Sequence, residues 1–253
     1  MKIYPYGVMI TIGVLVSGAL GKWLAKCFCI SFFDTLILFA YALLFGMSGG
    51  KLAYLILNRE LYDFSQMSTS EVMRAISESG FIFYGGLLLG ALGVFLAAKL
   101  HQIDLSSCLR VNLPLLPLAH GFGRIGCFLA GCCYGMPYDG FLSYTYRNSL
   151  VAPVDIPLFP VQLAEAVGLF LLALLLLRCL FRGMSVGCLG IVYVSVYAVM
   201  RFCLEFLRGD AARGFLFGLS TSQWVSIGCL AMILPSVLIY HHVMQRKRND
   251  TES

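Results

Sequence analysis

Charge is what this sequence has least of. Only 12% of its 253 residues are Asp, Glu, Lys or Arg, where a soluble domain carries about 25%. Apolar residues make up 59%. That balance excludes a separate soluble module and points to one integral membrane domain. The net charge of +5 is distributed as membrane topology demands, so no nucleic-acid partner is expected. The first apolar segment lacks a basic start and a clear small-residue cleavage site, so no cleavable leader is expected either. Histidines number four, and no pair of them joins the Cys127, Cys132 and Cys133 group. Cysteines, by contrast, number ten. Most lie in apolar stretches, where a free thiol behaves as a small hydrophobe.

What is present is a series of seven apolar segments, at about 6–24, 33–57, 81–99, 112–135, 161–181, 186–207 and 221–241. Each approaches the roughly 20 residues that span a bilayer. The expected fold class is all-α: a polytopic integral membrane protein with about seven transmembrane helices. They form a single transmembrane domain over residues 1–244, followed by a polar cytoplasmic tail at 245–253. Residues 69–76 read as a short interfacial helix. Residues 136–159, rich in Pro, Asp, Tyr and Asn, read as an irregular loop, and Pro160 suits the first turn of the next helix.

Seven spans place the termini on opposite sides, and basic residues choose which. With the C-terminus inside, the cytoplasmic face holds nine basic and four acidic residues, including Lys22, Lys26, Arg178 and Arg182. The outer face then holds seven of each. The expected topology is N-terminus outside and C-terminus cytoplasmic.

Four charges remain inside spans: Arg124, Glu165, Arg201 and Glu205. An arginine at a bilayer centre costs roughly 2.5–3.5 kcal/mol on insertion scales, so it marks function. Arg124 lies in His120-Gly-Phe-Gly-Arg-Ile-Gly-Cys-Phe-Leu-Ala-Gly-Cys-Cys-Tyr-Gly135. A helix through 115–135 would put Cys127, Phe128, Gly131 and Gly135 on the face of Arg124, with Cys132 flanking and Cys133 opposite. Its glycines would clear room for a headgroup. Tyr197, Arg201, Glu205 and Arg208 form one stripe on the sixth segment, and Gln162 and Glu165 lie about 60° apart on the fifth. The functional reading is a polar pocket in the outer half of the bilayer, whose guanidinium groups hold a phosphate or another anion. The bland reading is a salt-bridge network that holds helices together.

Other residues carry weaker signals. Tyr84 opens the third span and suits an aromatic belt, and Tyr6 does the same in the first. Gly86 and Gly90 follow a small-xxx-small pattern that serves helix packing. The Cys127, Cys132 and Cys133 spacing is no zinc signature, so no metal and no cofactor is expected. His120, one turn before Arg124, offers a base or a structural ring.

Together these motifs resemble the prolipoprotein diacylglyceryl transferases of bacterial membranes. Tyr6-Gly7-Val8-Met9 is similar to the family's Tyr-Gly-Leu-Met start. Gly49-Gly50-Lys51-Leu52-Ala53-Tyr54 resembles Gly-Gly-Arg-hydrophobic-Gly-Tyr, and Tyr84-Gly85-Gly86-Leu87 stands where the family has His-Gly-Gly-Leu. Gly123 to Gly135 matches the signature Gly-Arg-x-Gly-Asn-Phe-x-Asn-x-Glu-x-x-Gly in length, glycines and arginine. Phe159-Pro160-Val161-Gln162-Leu163-Ala164-Glu165 resembles His-Pro-x-Gln-Leu-Tyr-Glu. The segments from Arg201 to Arg208 and from Leu219 to Ser226 resemble the C-terminal pattern.

The resemblance implies a multi-pass protein of the bacterial plasma (inner) membrane. The implied reaction moves a diacylglyceryl group from phosphatidylglycerol to the lipobox cysteine of a prolipoprotein, and glycerol 1-phosphate leaves. The implied partners are phosphatidylglycerol, the prolipoprotein and the bilayer. Arg124 and Arg201 would clamp phosphate, Glu205 would orient Arg201, and Tyr84, His120 and Cys127 complete the catalytic candidates. Tyr6, Cys132, Gly135, Gln162, Glu165 and Arg208 are the substrate-binding candidates beside Arg124. The sequence departs from the family where Tyr84 and Phe159 replace histidines, and where Cys127, Ala130 and Cys132 replace Asn, Asn and Glu. The arginines persist while groups for acid–base work and hydrogen bonding have changed. The same reaction with Tyr84 or His120 substituting, another acceptor or an own cysteine as intermediate, and a non-enzymatic lipid- or metal-binding relative are the three readings.

Overall fold

The computed structural model describes residues 5–61, 67–80, 82–149, 151–210, 214–233 and 235. Each apolar segment contributes a helix over its described residues. In chain order these are α1 (Pro5–Cys27), α2 (Phe32–Leu57), α3 (Thr69–Glu78), α4 (Phe83–Leu100), α5 (Leu105–Asn112), α6 (Leu115–Ala130), α7 (Val161–Phe181), α8 (Val186–Glu205) and α9 (Thr221–Ile233). Two small antiparallel pairs join β1 (Tyr144–Thr145) to β2 (Pro157–Leu158) and β3 (Phe215–Leu216) to β4 (Leu219–Ser220). The fold is all-α and polytopic. Helices α1, α2, α7 and α8 are each long and apolar enough to cross a membrane, and α5 with α6 makes a fifth if read as one broken span. Helices α4 and α9 are apolar but shorter. The expected last span runs on beyond the described residues, and the tail at 245–253 lies outside them.

Local chemistry sets where these helices begin and end. Ser31 and Ser185 cap α2 and α8 by accepting from the backbone N–H of Asp34 and Cys188. Ser68 and Glu71 form a capping box at α3, a helix where the sequence suggested one over residues 69–76. Hydrogen bonds from Ser68 hold the Glu71 carboxyl below the ordinary range, first from the backbone and then from the hydroxyl. Pro114 stands between α5 and α6, where its missing N–H breaks the helix.

The chain forms two compact units. One comprises residues 24–109. Its α2 and α4 pack through glycines on both sides. A methyl group on Gly49 would come within 2.6 Å of the Gly85 carbonyl oxygen, and one on Gly93 within 2.8 Å of the Tyr41 carbonyl oxygen. Close backbone approach of this kind replaces the hydrophobic effect as the association force in lipid. Leu38, Ala97, Ala98, Ile103 and Cys108 form its core. Lys51 Nζ donates to the Ile76 carbonyl at 2.7 Å, which ties α2 to α3. Outside the spans, the Ser107 hydroxyl holds the Asp104 carboxyl below its ordinary range.

The other unit comprises residues 1–23 and 110–253. Leu169, Leu172, Leu176 and Leu180 of α7 recur every three or four residues and are fully buried. Gly121 of α6 lies against Phe170, and Gly168 of α7 lies beneath Met200 of α8.

Four sequence expectations change here. Helix α6 stops at Ala130, because Gly131 takes φ +73° and closes the helix as a left-handed cap. Cys132, Cys133 and Gly135 therefore lie on a turn, not on the Arg124 helix face. Helix α8 ends at Glu205, so Arg208 leaves the expected stripe. The 136–159 loop carries the β1–β2 pair, and Pro160 is the N-cap of α7, one residue before its first turn.

Candidate active site

Three helices and one turn, all within residues 110–253, build the site. Arg124 projects from the middle of α6. Its Nε lies 3.1 Å from Glu165 Oε1 of α7 and donates to His120 Nε2 at 3.2 Å. His120 is one turn back on the same helix, whereas Glu165 stands one turn into α7. On α8, Arg201 Nη2 meets Glu205 Oε2 at 2.7 Å across one turn. Past the helix end, Arg208 makes a two-pronged pair with Asp210, Nε to Oδ1 at 3.0 Å and Nη2 to Oδ2 at 2.6 Å. Burial alone would lower the Arg208 pKa, but these Asp210 contacts raise it above the ordinary guanidinium value.

The glutamates are almost fully buried, with side chains 3% exposed at Glu165 and 2% at Glu205. Charges this deep must be paired, since an isolated ion in such surroundings is strongly disfavoured. Among the fully buried guanidinium nitrogens of these two pairs, one is left over. Arg201 Nη1 is buried and has no hydrogen-bond partner among the described residues. An unpaired donor on a buried cation is expensive, and it marks a place where an acceptor belongs. Tyr197 lies in the shared field of Glu165, Arg124 and Arg201, with its ring 5.7 Å from that of His120.

The turn after α6 is pinned on both sides. Met136 N–H donates to the Leu207 carbonyl at 2.9 Å, Gly209 N–H donates to the Tyr134 carbonyl at 3.0 Å, and Phe159 N–H donates to the Met136 carbonyl at 3.0 Å. Gly135 is threaded between these segments, where any side chain would strike the Phe159 carbonyl. Gln162, 2% exposed, donates from Nε2 to the Cys132 carbonyl at 2.8 Å. Tyr146 donates its hydroxyl to the Phe128 carbonyl at 2.9 Å, which satisfies one of the last carbonyls of α6. Burial pushes the Tyr146 phenol up to about 12.

The glycines do not clear the groove that the sequence suggests. Gly121 is filled by Phe170, Gly126 by Tyr6 and Met9, Gly131 by Ser149 and Gly135 by Phe159. Gly123 is the α6 glycine with open space beside it. The cysteines also differ from expectation. The sulfurs of Cys127, Cys132 and Cys133 all lie within 4.8 Å of one another. Cys133, placed opposite by helix counting, is turned back by the Gly131 cap and by its own φ of +53°.

The family assignment follows from comparison with known proteins. The model of the prolipoprotein diacylglyceryl transferase family matches residues 1–240. This chain belongs to that family. A phosphatidylglycerol–prolipoprotein diacylglyceryl transferase of Clostridium tetani is 37% identical over 90% of this chain and 89% of its own length. Clostridium perfringens has a relative so named, with the suffix 2, that is 32% identical over 99% of this chain and 95% of its own. One from Dehalococcoides mccartyi is 26% identical over 98% of this chain and 91% of its own. Family and apolar helices together make this a multi-pass bacterial membrane protein.

Among the diacylglyceryl transferase candidates, the structure gathers Arg124, His120, Glu165, Arg201 and Glu205 by ion pairs, hydrogen bonds and the ring contact through Tyr197. Tyr6 reaches the same helix at Gly126. Cys132 and Gly135 lie on the adjoining turn, between Cys127 at the end of α6 and Gln162 at the start of α7, and Arg208 bridges to Gly135 from beyond the end of α8. Tyr84 belongs to the other unit, at the start of α4, where it is partly exposed. Sequence reasoning missed Asp210, Tyr146 and the position of Cys133. The signal for the last was Gly131, a glycine placed where a helix C-cap falls.

Proposed function

We propose that this chain transfers a diacylglyceryl group from phosphatidylglycerol to the lipobox cysteine thiol of a prolipoprotein, and releases glycerol 1-phosphate. Family membership supports the reaction class. The observation that carries the site assignment is the buried, unpartnered Nη1 of Arg201 beside the Arg124–Glu165 pair. A leaving phosphate gains charge as its carbon–oxygen bond breaks. Preorganised guanidinium donors stabilise that developing anion most in a water-poor site.

Each residue then has a role. Arg201 meets the phosphate with Nη1 while Glu205 holds its other nitrogen. Arg124, restrained by Glu165 and His120, supplies the second positive group. His120 accepts at Nε2, which places its own proton on Nδ1. When phosphate recruits Arg124, that Nε2 lone pair becomes the base for the acceptor thiol. Gln162 fixes the turn that follows α6. Tyr6, Cys132, Gly135 and Arg208 border the lipid-binding side. Cys127 lies one turn from Arg124, close enough to serve the thiol chemistry. Helices α4 and α9 complete seven spans in a single transmembrane domain, with the N-terminus outside and the C-terminal tail cytoplasmic.

The test is a mass-shift assay. Full-length protein in phosphatidylglycerol vesicles is mixed with a lipobox peptide carrying one free cysteine. The expected result is a diacylglyceryl mass gain on that cysteine, abolished by Arg124→Ala and by Arg201→Ala. No gain from folded, lipid-bound protein would contradict the proposal.

A further inference from the structure

Three cysteines have been brought together where neither their spacing nor their helix demanded it. Cys127 leaves the last turn of α6, and Cys132 and Cys133 follow the Gly131 cap. Their sulfurs lie within 4.8 Å of one another. Cys127 is buried, while Cys132 and Cys133 are half-buried, so the trio is enclosed on one side and open on the other. A tetrahedral metal bound through sulfur at about 2.3 Å holds its sulfurs roughly 3.8 Å apart. The three thiols reach that spacing by rotamer adjustment of roughly an ångström or less each, by the same geometry.

The surroundings also suit a metal rather than three spectator thiols. The carbonyl of Cys132 is held by the buried amide of Gln162, which fixes the turn. Met136, Tyr134 and Gly135 are tied to the ends of α7 and α8, so the turn has little freedom. Arg124 and Arg208 lie in the electrostatic field of Cys133, and Arg124 in that of Cys127 as well. These guanidinium groups, each also paired with a carboxylate, soften the charge that three thiolates would carry. Among the described residues no fourth His, Cys, Asp or Glu joins the trio. Three protein ligands with an open fourth position is the arrangement of a catalytic zinc site, whereas structural sites are closed by four.

We propose that Cys127, Cys132 and Cys133 bind a thiophilic divalent cation, zinc by preference, whose open position takes the acceptor thiol. The inference rests on the transferase reading above and deepens it. Zinc coordination removes the proton from a thiol outright. The metal-held thiolate then forms the sulfur–carbon bond to the glyceryl carbon. The carbon–oxygen bond to phosphate breaks, and its electron pair leaves with glycerol 1-phosphate. The thiol proton passes to His120 Nε2 or to the departing phosphate, so charge and atoms balance without an oxidant. The site thus supplies the thiol activation that Tyr84, a phenol whose ordinary pKa is near 10, does not.

Full-length protein in nanodiscs free of phosphatidylglycerol, purified without metal under reducing conditions, is titrated with cobalt(II) and with zinc(II). The expected result is one metal per chain, and a thiolate-to-cobalt charge-transfer band that each of C127S, C132S and C133S weakens. Cys188→Ser leaves the band unchanged. Adding the lipobox cysteine peptide to wild type strengthens the band by about one third, as a fourth thiolate joins three. A serine-containing peptide leaves it unchanged. The wild-type titration decides the matter even where a cysteine variant fails to fold. No stoichiometric metal in folded protein overturns the proposal. So does a disulfide within the trio in its place, or a band indifferent to the cysteine peptide. Transfer measured on the same protein returned to phosphatidylglycerol vesicles, with and without metal, separates the two readings. Metal-free protein that transfers at full rate retires the metal and keeps the reaction. A peptide-responsive cobalt band without transfer retires the reaction and keeps the thiol site.

Discussion

Each of the two compact units packs its own helices by different means. In residues 24–109, α2 and α4 meet glycine to glycine. In the other unit, α6, α7 and α8 bury ion pairs in their middle and at their exits. Small-residue packing is sufficient to join helices in a membrane. Buried ion pairs are weak evidence for stability, since desolvation often exceeds their attraction. The contrast therefore teaches that the charged unit is built for something other than cohesion. An anion-handling site is the chemistry that such pairs permit.

The largest effect should come from Arg124. Arg124→Ala is expected to lower diacylglyceryl transfer by a factor of roughly 10²–10³ or more, as removal of one preorganised donor does elsewhere. Lys99→Ala, at the end of α4, should leave transfer within about twofold, the scale of a surface change. Both are read by peptide mass spectrometry. Equal losses would erase the distinction between the units.

Stability should respond next. Glu165→Ala strands the Arg124 charge and is expected to cost about 3–5 kcal/mol in a detergent unfolding titration. Glu165→Gln keeps a hydrogen-bond acceptor and should cost less. In the glycine-packed unit, Gly49→Leu forces α2 from α4 and should cost about 1–3 kcal/mol by overpacking, read as a lower thermal midpoint. A neutral outcome would mean that the glycine contact is not what joins these helices.

The smallest effect concerns the α6 cap. Tyr146→Phe removes the hydroxyl from the Phe128 carbonyl and should cost roughly 0.5–1.5 kcal/mol. The Tyr146 pKa is raised to about 12 because burial favours the neutral phenol. Its stability contribution is full below the unfolded value near 10 and disappears as pH rises through about 12. Wild type should therefore lose stability over that window more steeply than Tyr146→Phe in parallel alkaline melts. Identical curves would show that the phenol does not carry the linkage.

Much of this contrast was legible in the sequence. Arg124, Glu165, Arg201 and Glu205 stand out because charge inside an apolar run needs a reason, and i,i+4 spacing fixed the Arg201–Glu205 pair. The Arg124–Glu165 partnership required two helices to meet, which no local pattern specifies. Gly86 and Gly90 advertised close packing through their small-xxx-small spacing, and a methyl group on Gly46 would indeed meet both. Helix counting scatters the cysteine trio because it runs straight through Gly131, where the backbone turns left-handed. It misplaces Arg208 for a similar reason: α8 ends at Glu205, and the chain then binds the turn at Gly135. Tyr146 lies in a loop whose polar composition gives no hint of its bond to α6.

The most direct test exchanges both members of the Arg201–Glu205 pair for apolar residues, in the double variant R201M with E205L. Buried ion pairs exchanged for apolar residues of similar volume are often neutral or stabilising by about 1–4 kcal/mol. The prediction is a protein that melts at or above the wild-type temperature and transfers no diacylglyceryl group to the lipobox peptide. Transfer at the wild-type rate would contradict the account, because it would show that these charges serve neither the phosphate nor the reaction.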